Sequence, residues 1–293
     1  MKWAIVVNPH SGKRRGMNLG HDFRSLAIAN EISIVWICGA TARESRDLLA
    51  AEVKAGRLDA VVVVGGDGLV NLVVQELAQT QIGMAVIAAG TGNDFARASG
   101  TFSMTVPELF RFMTTTSPTA IDLGKVDVGG EQKWFCQILS TGFDSVVNER
   151  ANRFLRLHGK MKYNVATVIE LPRFSAIEYE LEIDGAKQTT KAMLVAIANG
   201  PTYGGGMKVC PDADRRDGLF DVLILHPLPK LEFIAVFPKV FKGTHVTHPK
   251  VEIFRARKLN ISARARAYAD GEDYGDLPLT VTSEPQCLLT WSR

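Results

Sequence analysis

Asp59-Ala60-Val61-Val62-Val63-Val64-Gly65-Gly66-Asp67-Gly68 is an apolar, β-branched run that stops abruptly in two glycines, a carboxylate and a third glycine. A continuous run of this kind reads as a strand buried on both faces, as in a parallel sheet. The glycines at its end permit backbone conformations and close ligand approach that a Cβ would block. Asp67 then falls at the carboxyl end of a buried strand, where open α/β sheets bind their ligands. Taken alone, the stretch is equally compatible with a strand running into an ordinary Gly-Asp-Gly turn.

The pattern recurs, and recurrence decides between the two. Residues 83–89 (GMAVIAA) form a second apolar run, ending in Gly90-Thr91-Gly92-Asn93-Asp94 and then the helical Phe95-Ala96-Arg97-Ala98. Trp3-Ala4-Ile5-Val6-Val7 is a third, ending in Asn8-Pro9-His10-Ser11-Gly12-Lys13. Loops of Gly, Ser, Thr, Asn and Asp after strands offer unpaired backbone N–H groups and hydroxyls, the chemistry that cradles phosphate oxygens. Three of them in one α/β pattern point to a nucleotide pocket. The chain has no G-x-x-x-x-G-K-[ST] and no G-x-G-x-x-G after a strand, so neither the P-loop nor the dinucleotide arrangement holds that nucleotide. The protein-kinase motifs are missing as well.

The 293 residues suffice for two domains. A composition of 46% hydrophobic and 22% charged residues is that of an ordinary globular protein. The net charge of +3 is too small to argue for a nucleic-acid partner. No apolar run approaches the ~20 residues that span a bilayer, and the first residues read as a strand rather than a cleavable signal. Cys38, Cys136, Cys210 and Cys287 are scattered without metal-type spacing, which suggests reduced thiols in a cytoplasmic protein.

Up to residue 122, helical periodicity at 42–55 and 69–78 alternates with the apolar strands, as parallel βαβ units require. Residues 107–113 read as a further short helix. Beyond Ile121 the pattern changes. Residues 125–135 read as two strands joined by Gly129-Gly130, and 177–183 (IEYELEI) alternates strictly. More strand-like sequence follows near Met193 and at 222–225, 251–254 and 259–261, which predicts an antiparallel, sandwich-like second domain. One helix, from about 143 to 170, interrupts it. There Arg150, Arg153, Arg156, His158, Lys160 and Lys162 lie beside Val146, Val147, Phe154, Leu155 and Leu157. Such a segment either lies on an anionic membrane or is a solvated helix face over a core.

The second half carries its own chemical loops. Asn199-Gly200-Pro201-Thr202-Tyr203-Gly204-Gly205-Gly206-Met207 is glycine-dense, and Asp212, Asp214 and Asp217 crowd one turn. That cluster suits a hard cation or a polar hairpin. Residues 263–269 alternate alanine with Arg264, Arg266 and Tyr268 and end in Asp270-Gly271-Glu272. In one extended strand Arg264, Arg266, Tyr268 and Asp270 would share a face. A carboxylate there is suited to general-base work.

In order, Asn8-Pro9-x-Ser11-Gly12, Gly65-Gly66-Asp67-Gly68, Gly90-Thr91-Gly92-Asn93-Asp94-Phe95-Ala96-Arg97, Gly142-Phe143-Asp144, Asn199-Gly200 with Gly204-Gly205-Gly206-Met207, Asp217-Gly218 and Asp270-Gly271-Glu272 resemble the diacylglycerol kinase catalytic-domain family. The likeness is to its soluble bacterial lipid kinases, which are related to sphingosine and ceramide kinases, and it covers nearly the whole chain. It implies an α/β fold plus a β fold: an N-terminal three-layer α/β nucleotide-binding domain over 1–122 and a C-terminal antiparallel β-sandwich over 123–285. It also implies an ATP cleft between the two, and a last strand, about 286–293, that returns to the first. The implied reaction is transfer of the ATP γ-phosphoryl group to a lipid hydroxyl with Mg²⁺, diacylglycerol being the expected acceptor. By resemblance Asn8, Ser11, Gly12, Thr41, Gly65, Gly66, Asp67, Gly68, Gly90, Thr91, Gly92 and Asn93 would hold ATP. Asp67 would also orient the metal–phosphate group, Glu272 would be the general base, and Asp214, Asp217 and Leu219 would hold a structural cation. Peripheral contact with an anionic membrane from the cytoplasm is expected, no nucleic acid, and a homodimer is left open.

The chain keeps the family's asparagine at Asn71 but departs from its pattern at Leu69 and Leu72, where a hydroxyl and a carboxylate are replaced, and at Arg216, where a carboxylate precedes Asp217-Gly218 in the family. The alternatives are a kinase of a soluble acceptor, resembling NAD kinases, and a nucleotide- or lipid-binding regulator without catalysis.

Overall fold

The alternation of apolar runs with amphipathic segments produces, in chain order, β1 (Lys2–Val7), α1 (Arg15–Ala29), β2 (Ser33–Ile37), α2 (Ala42–Lys54), β3 (Ala60–Gly65), α3 (Asp67–Leu77), β4 (Gly83–Ala88), α4 (Asp94–Ala98), α5 (Val106–Thr115) and β5 (Thr119–Val128). A computed structural model describes residues 1–154 and 160–293 of the chain. It divides into one unit of Met1–Leu123 with Pro285–Arg293 and a second of Gly124–Glu284.

In the first unit four strands run parallel in the order β2-β1-β3-β4. Every residue of β3 is buried, as its unbroken β-branched run requires. Side chains alternate across the sheet. Trp3, Ile5, Val7, Val62 and Val64 pack with Phe23 and Ala27 of α1 and with Leu109, Phe110 and Met113 of α5. The intervening Ala4, Val6, Val61 and Val63 are equally buried on the opposite face. There α2 packs against β2 and α3 against β3, and Arg46 of α2 pairs with Glu76 of α3 at 2.6 Å. The result is three layers.

The helix starts follow local chemistry. Thr41 caps α2, its hydroxyl accepting from the Glu44 N–H, and Thr105 and Glu108 form a reciprocal capping box on α5. The C-terminal residues close the unit beside β4. Thr290 Oγ1 donates to the Met84 carbonyl at 2.8 Å, and Trp291 Nε1 donates to the Thr116 carbonyl at 3.1 Å.

The second unit continues with β6 (Glu131–Phe135), β7 (Ile138–Gly142), α6 (Phe143–Arg153), α7 (Lys160–Glu170), β8 (Ile177–Ile183), β9 (Ala186–Ala192), β10 (Leu194–Ala198), β11 (Phe220–Leu225), α8 (Lys230–Val236), β12 (Val251–Ala256), β13 (Lys258–Ala263), β14 (Arg266–Ala269), β15 (Glu272–Asp276) and β16 (Leu279–Thr290). One antiparallel sheet has the order β12-β11-β10-β7-β14-β15. Strands β16, β13, β8 and β9 pair in that order, antiparallel, as do β5 and β6. The core between the two layers is built from Leu139, Val195, Ile197, Val222 and Ala267 on one side and Val126, Tyr179, Leu181, Leu259 and Val281 on the other. The outer face of the six-stranded sheet is covered by helices through Phe143, Val147, Ala166, Phe233 and Val240.

Two expectations are corrected. The segment read as one helix over 143–170 is two, α6 and α7. Arg156, His158, Leu155 and Leu157 lie outside the described residues. The segment 263–269 is not one strand either. The chain leaves β13 at Ala263, passes Arg264 and Ala265, and enters the opposite sheet as β14. A register shift between Ala267 and Tyr268 adds a local irregularity. Ala267 and Ala269 face the core between the sheets, so Arg266 and Tyr268 share the other face of β14, while Arg264 lies outside the strand. Asp270 closes the segment with φ +52°, in the left-handed region.

Candidate active site

Each strand-end loop of the first unit opens from the carboxyl edge of its parallel sheet, so topology alone gathers Asn8–Gly12, Gly65–Gly68 and Gly90–Asn93 at one end. The loops touch through their backbones. The Asn8 N–H donates to the Val64 carbonyl at 3.2 Å. Gly66 and Gly90 approach so closely that a Cβ on Gly90 would lie 2.4 Å from the Gly66 Cα. Gly12 has φ +57°, and a Cβ there would come within 2.8 Å of the Ala89 carbonyl oxygen. This close approach is what the glycines contribute.

Two side chains lock the arrangement. Asn93, in the left-handed region at φ +56°, folds back so that its Oδ1 accepts from the Gly90 N–H and its Nδ2 donates to the Gly90 carbonyl, both at 2.8 Å. Asp67 braces the β3 loop against the β4 loop, its Oδ1 accepting from the Asp94 N–H at 2.8 Å. Gly92 lies against the same carboxylate, where a Cβ would meet Asp67 Oδ2 at 2.5 Å. Ser11 is buried, while Asn8, Gly12, Gly68 and Thr91 are open to solvent. Thr41 follows the edge strand β2, and its hydroxyl is committed to capping α2. Leu69 folds back over Gly65, within 2.8 Å of where a Cβ would stand. The floor so formed is narrow, glycine-lined and headed by the N-terminus of α3, which suits an anionic phosphate chain.

In the second unit the Asp270-Gly271-Glu272 turn is held from behind. The Asp270 carboxylate accepts from the N–H groups of Cys136 (2.8 Å), Gln137 (3.0 Å) and Ile138 (3.3 Å). The same 136–137 turn receives the Asn199-Gly200 loop. The N–H groups of Asn199 and Gly200 donate to the Gln137 carbonyl, and Asn199 Nδ2 donates to the Cys136 carbonyl. Burial raises the Asp270 carboxyl above the usual carboxylate range, and its three N–H donors pull it back. Glu272 projects to solvent from the start of β15. It too is held above the ordinary glutamate range, first by partial desolvation and then by the charge of Asp270, while Lys133 opposes the shift. The pair is therefore a buried, positioned carboxylate and an accessible one, both raised above their ordinary ranges.

Asp144, at the start of α6, is a further candidate to which sequence reading attached no role. Its carboxyl is enclosed although part of the residue remains accessible, and desolvation pushes it up against the opposing hydrogen bonds of Ser140 and Tyr203. Asn148 Nδ2 adds a longer contact at 3.4 Å. The signal in the sequence was Asp144 following Gly142-Phe143, with Tyr203 inside the glycine-dense loop. Only the fold shows that the two meet.

The turn expected to hold a structural cation is otherwise committed. Asp217 Oδ1 accepts from the Leu219 N–H at 2.9 Å, and its Oδ2 pairs with the Arg255 guanidinium. Asp214 Oδ1 accepts from the Arg216 N–H at 3.1 Å. Among the described residues no group of three or more His, Cys, Asp or Glu is placed to hold a metal ion. In the turn of Asp214, Asp217 and Leu219, the central carboxylate is thus shared between a guanidinium and a backbone N–H. None of the four cysteines is in a disulfide among the described residues. No described helix is long and apolar enough to cross a membrane.

Comparison with known proteins gives a consistent picture. The family described as "Diacylglycerol kinase catalytic domain" matches residues 2–126. The "YegS C-terminal NAD kinase beta sandwich-like domain" matches residues 137–291. A diacylglycerol kinase of Mycobacterium tuberculosis is 36% identical over 290 residues, covering 98% of this chain and 94% of its own. A probable lipid kinase YegS-like protein of Stenotrophomonas maltophilia is 31% identical over 240 residues, 79% of this chain and 74% of its own. The crystal structure of a diacylglycerol kinase from Bacillus anthracis superposes with a TM-score of 0.73 at 17% identity. That match covers 100% of this chain and 97% of the other, and shows the likeness of fold.

Proposed function

The chain belongs to the diacylglycerol kinase catalytic-domain family and is a lipid kinase, and on that premise we propose that it transfers the γ-phosphoryl group of ATP to the free hydroxyl of diacylglycerol, giving phosphatidic acid. In this reading Glu272 takes the hydroxyl proton, the oxygen attacks the γ-phosphorus, and the β–γ bridging oxygen leaves on ADP with the bonding electron pair. Phosphoryl transfer leaves little covalent chemistry to a protein, so positioning and charge stabilisation carry most of the rate. The observation that carries the proposal is Glu272 itself. It is a solvent-reachable carboxyl raised toward useful basicity, on a turn fixed by Asp270.

ATP binding is assigned to the loops of the first unit. Asn8, Ser11, Gly12, Gly66, Gly68, Gly90, Thr91, Gly92 and Asn93 supply hydroxyl, amide and backbone donors on a floor with no room for side chains. Gly65 completes the turn, and Thr41 starts α2 after the edge strand β2. Asp67 is the carboxylate available to the Mg²⁺ that accompanies ATP, an ion that would neutralise charge on the phosphates. Asp144 is assigned to the acceptor, because an enclosed carboxyl beside Tyr203 and the Gly204-Gly205-Gly206 loop suits a hydroxyl-bearing headgroup. The reading expects work at the cytoplasmic surface of a membrane.

The test is transfer of labelled γ-phosphate with Mg²⁺ to diacylglycerol, monoacylglycerol, ceramide, sphingosine and NAD, each offered separately. Labelled phosphatidic acid is the expected product, and label in NAD alone would replace the acceptor. Asp144→Asn is expected to raise KM for the lipid more than it lowers kcat. It should also stabilise the fold at neutral pH by about 0.5–2 kcal/mol. Because the folded-state pKa of Asp144 is raised, its favourable contribution is complete below the unfolded value and is lost as pH rises through the folded one. Asn mimics the protonated form, so the gain should vanish on acidification. An Asp144→Asn enzyme with unchanged KM would remove the residue from the acceptor site.

A further inference from the structure

A helix on the surface of a protein in water keeps one face apolar and the other polar. Helix α8 and the 3₁₀ turn that follows it, Phe237–Phe241, do not. Phe233, Val236 and Val240 point inward and are buried. The outward positions Leu231, Ile234, Ala235, Pro238 and Phe241, spaced three or four apart, are apolar as well and all exposed. Leu231 is 83% exposed and Ile234 57%, among the most exposed large hydrophobic side chains described. A contiguous exposed apolar stripe marks an interaction surface.

Charge identifies the partner. Between residues 230 and 250 the chain has four lysines and a single glutamate, Glu232, which pairs with His248 at 3.0 Å. Lys239 and Lys242 flank Phe241 and are exposed. Lys208 joins them, since its N–H donates to the Val240 carbonyl at 2.9 Å and its Cβ lies within 3.6 Å of where a Cβ on Gly243 would stand. Among the described residues none of these three lysines is in an ion pair. Apolar side chains ringed by uncompensated ammonium groups fit an anionic bilayer, whose headgroups take the lysines while the hydrophobic tips enter the acyl boundary.

A row of rings runs from the patch toward the element that carries Asp144. Phe241 meets Phe237 edge-on at 6.5 Å, Phe237 stacks on Phe233 at 5.9 Å, and Phe233 meets Phe143 at 5.0 Å. Phe143 directly precedes Asp144. We propose that α8 and its 3₁₀ extension dock the protein on an anionic membrane, with Leu231, Ile234 and Phe241 inserted and Lys208, Lys239 and Lys242 on the headgroups. The inference rests on the lipid-substrate reading above and adds where the bilayer is met, a surface separate from the basic segment of α6.

The test is co-sedimentation with phosphatidylcholine vesicles, with and without phosphatidylglycerol. The wild type should bind the mixed vesicles more tightly. The triple variant Leu231→Ser, Ile234→Ser, Phe241→Ser and the double variant Lys239→Glu, Lys242→Glu should each bind them roughly tenfold or more weakly. Both variants should phosphorylate monomeric dioctanoylglycerol like wild type, because neither touches the candidate site. Vesicle binding unchanged in both variants would overturn the proposal. So would a triple variant that turns a wild-type dimer into a monomer on sedimentation, which would assign the stripe to a second copy of the chain. If wild type leaves dioctanoylglycerol unphosphorylated yet binds vesicles through these residues, the acceptor is wrong and the docking surface stands.

Discussion

Glu272→Gln should lower kcat for lipid phosphorylation by about 10²–10⁴-fold, the usual loss when a positioned general base is removed, while nucleotide affinity stays at the wild-type value and Tm at neutral pH does not fall. Stability should be spared because the fold raises the Glu272 pKa, so the ionised carboxyl contributes none at neutral pH that Gln would lose. Its acid limb offers an independent readout. The residue is competent as a base only above its own pKa, which the fold raises above the glutamate value of 4.5. Lys133 lowers that pKa, and its ammonium lies over the Tyr274 ring at 5.4 Å. Lys133→Met should therefore move the acid limb of the kcat/KM profile to higher pH and leave the rate at alkaline pH nearly unchanged. A Glu272→Gln enzyme of full activity, or an acid limb indifferent to Lys133, would place the base elsewhere.

Gly90→Ala should weaken ATP binding by tenfold or more, on the order of 1.4 kcal/mol, and destabilise the first unit by about 1–3 kcal/mol. The added methyl would meet the Gly66 Cα at 2.4 Å and Asn93 Oδ1 at 3.0 Å, contacts that only a backbone shift can relieve. That shift would separate the β3 and β4 loops and disturb the Asn93 hydrogen bonds to Gly90. Gly56→Ala makes a useful control. Its φ is +66° but nothing lies within 4 Å, so it should show only the cost of left-handed backbone. Calorimetric titration with a non-hydrolysable ATP analogue separates the two. Equal affinity in Gly90→Ala and wild type would take these loops out of the nucleotide site.

Much of the fold was open to reading because its determinants are local. The valines of β3 admit no solvent-facing position, so burial on both faces, and hence a parallel sheet between helices, follows from composition and length. Likewise, IEYELEI in β8 announces one buried face by strict alternation, and Tyr179 and Leu181 are indeed buried. Strand β2 and helix α1 escaped that reading. The pattern of α1 is interrupted by Gly16 and Gly20, and Gly20 is small because Trp36 of β2 rests where a Cβ would be, at 2.9 Å. Such a requirement lives in the packing partner, not in the helix.

The sequence by itself determined which residues end each strand, because a β-branched run cannot continue through Gly-Gly-Asp-Gly or Gly-Thr-Gly-Asn. What only tertiary structure decided is how distant segments meet. Arg264 and Ala265 carry the chain from one sheet to the other, Asp270 turns inward onto the N–H groups of residues 136–138, and Tyr203 reaches Asp144. Arg255 reaches Asp217 from a neighbouring strand and pairs with its carboxylate. Local patterns encode burial and turn geometry within a few residues. The protonation of a carboxylate and the partner of a charge depend on water excluded by residues a hundred positions away.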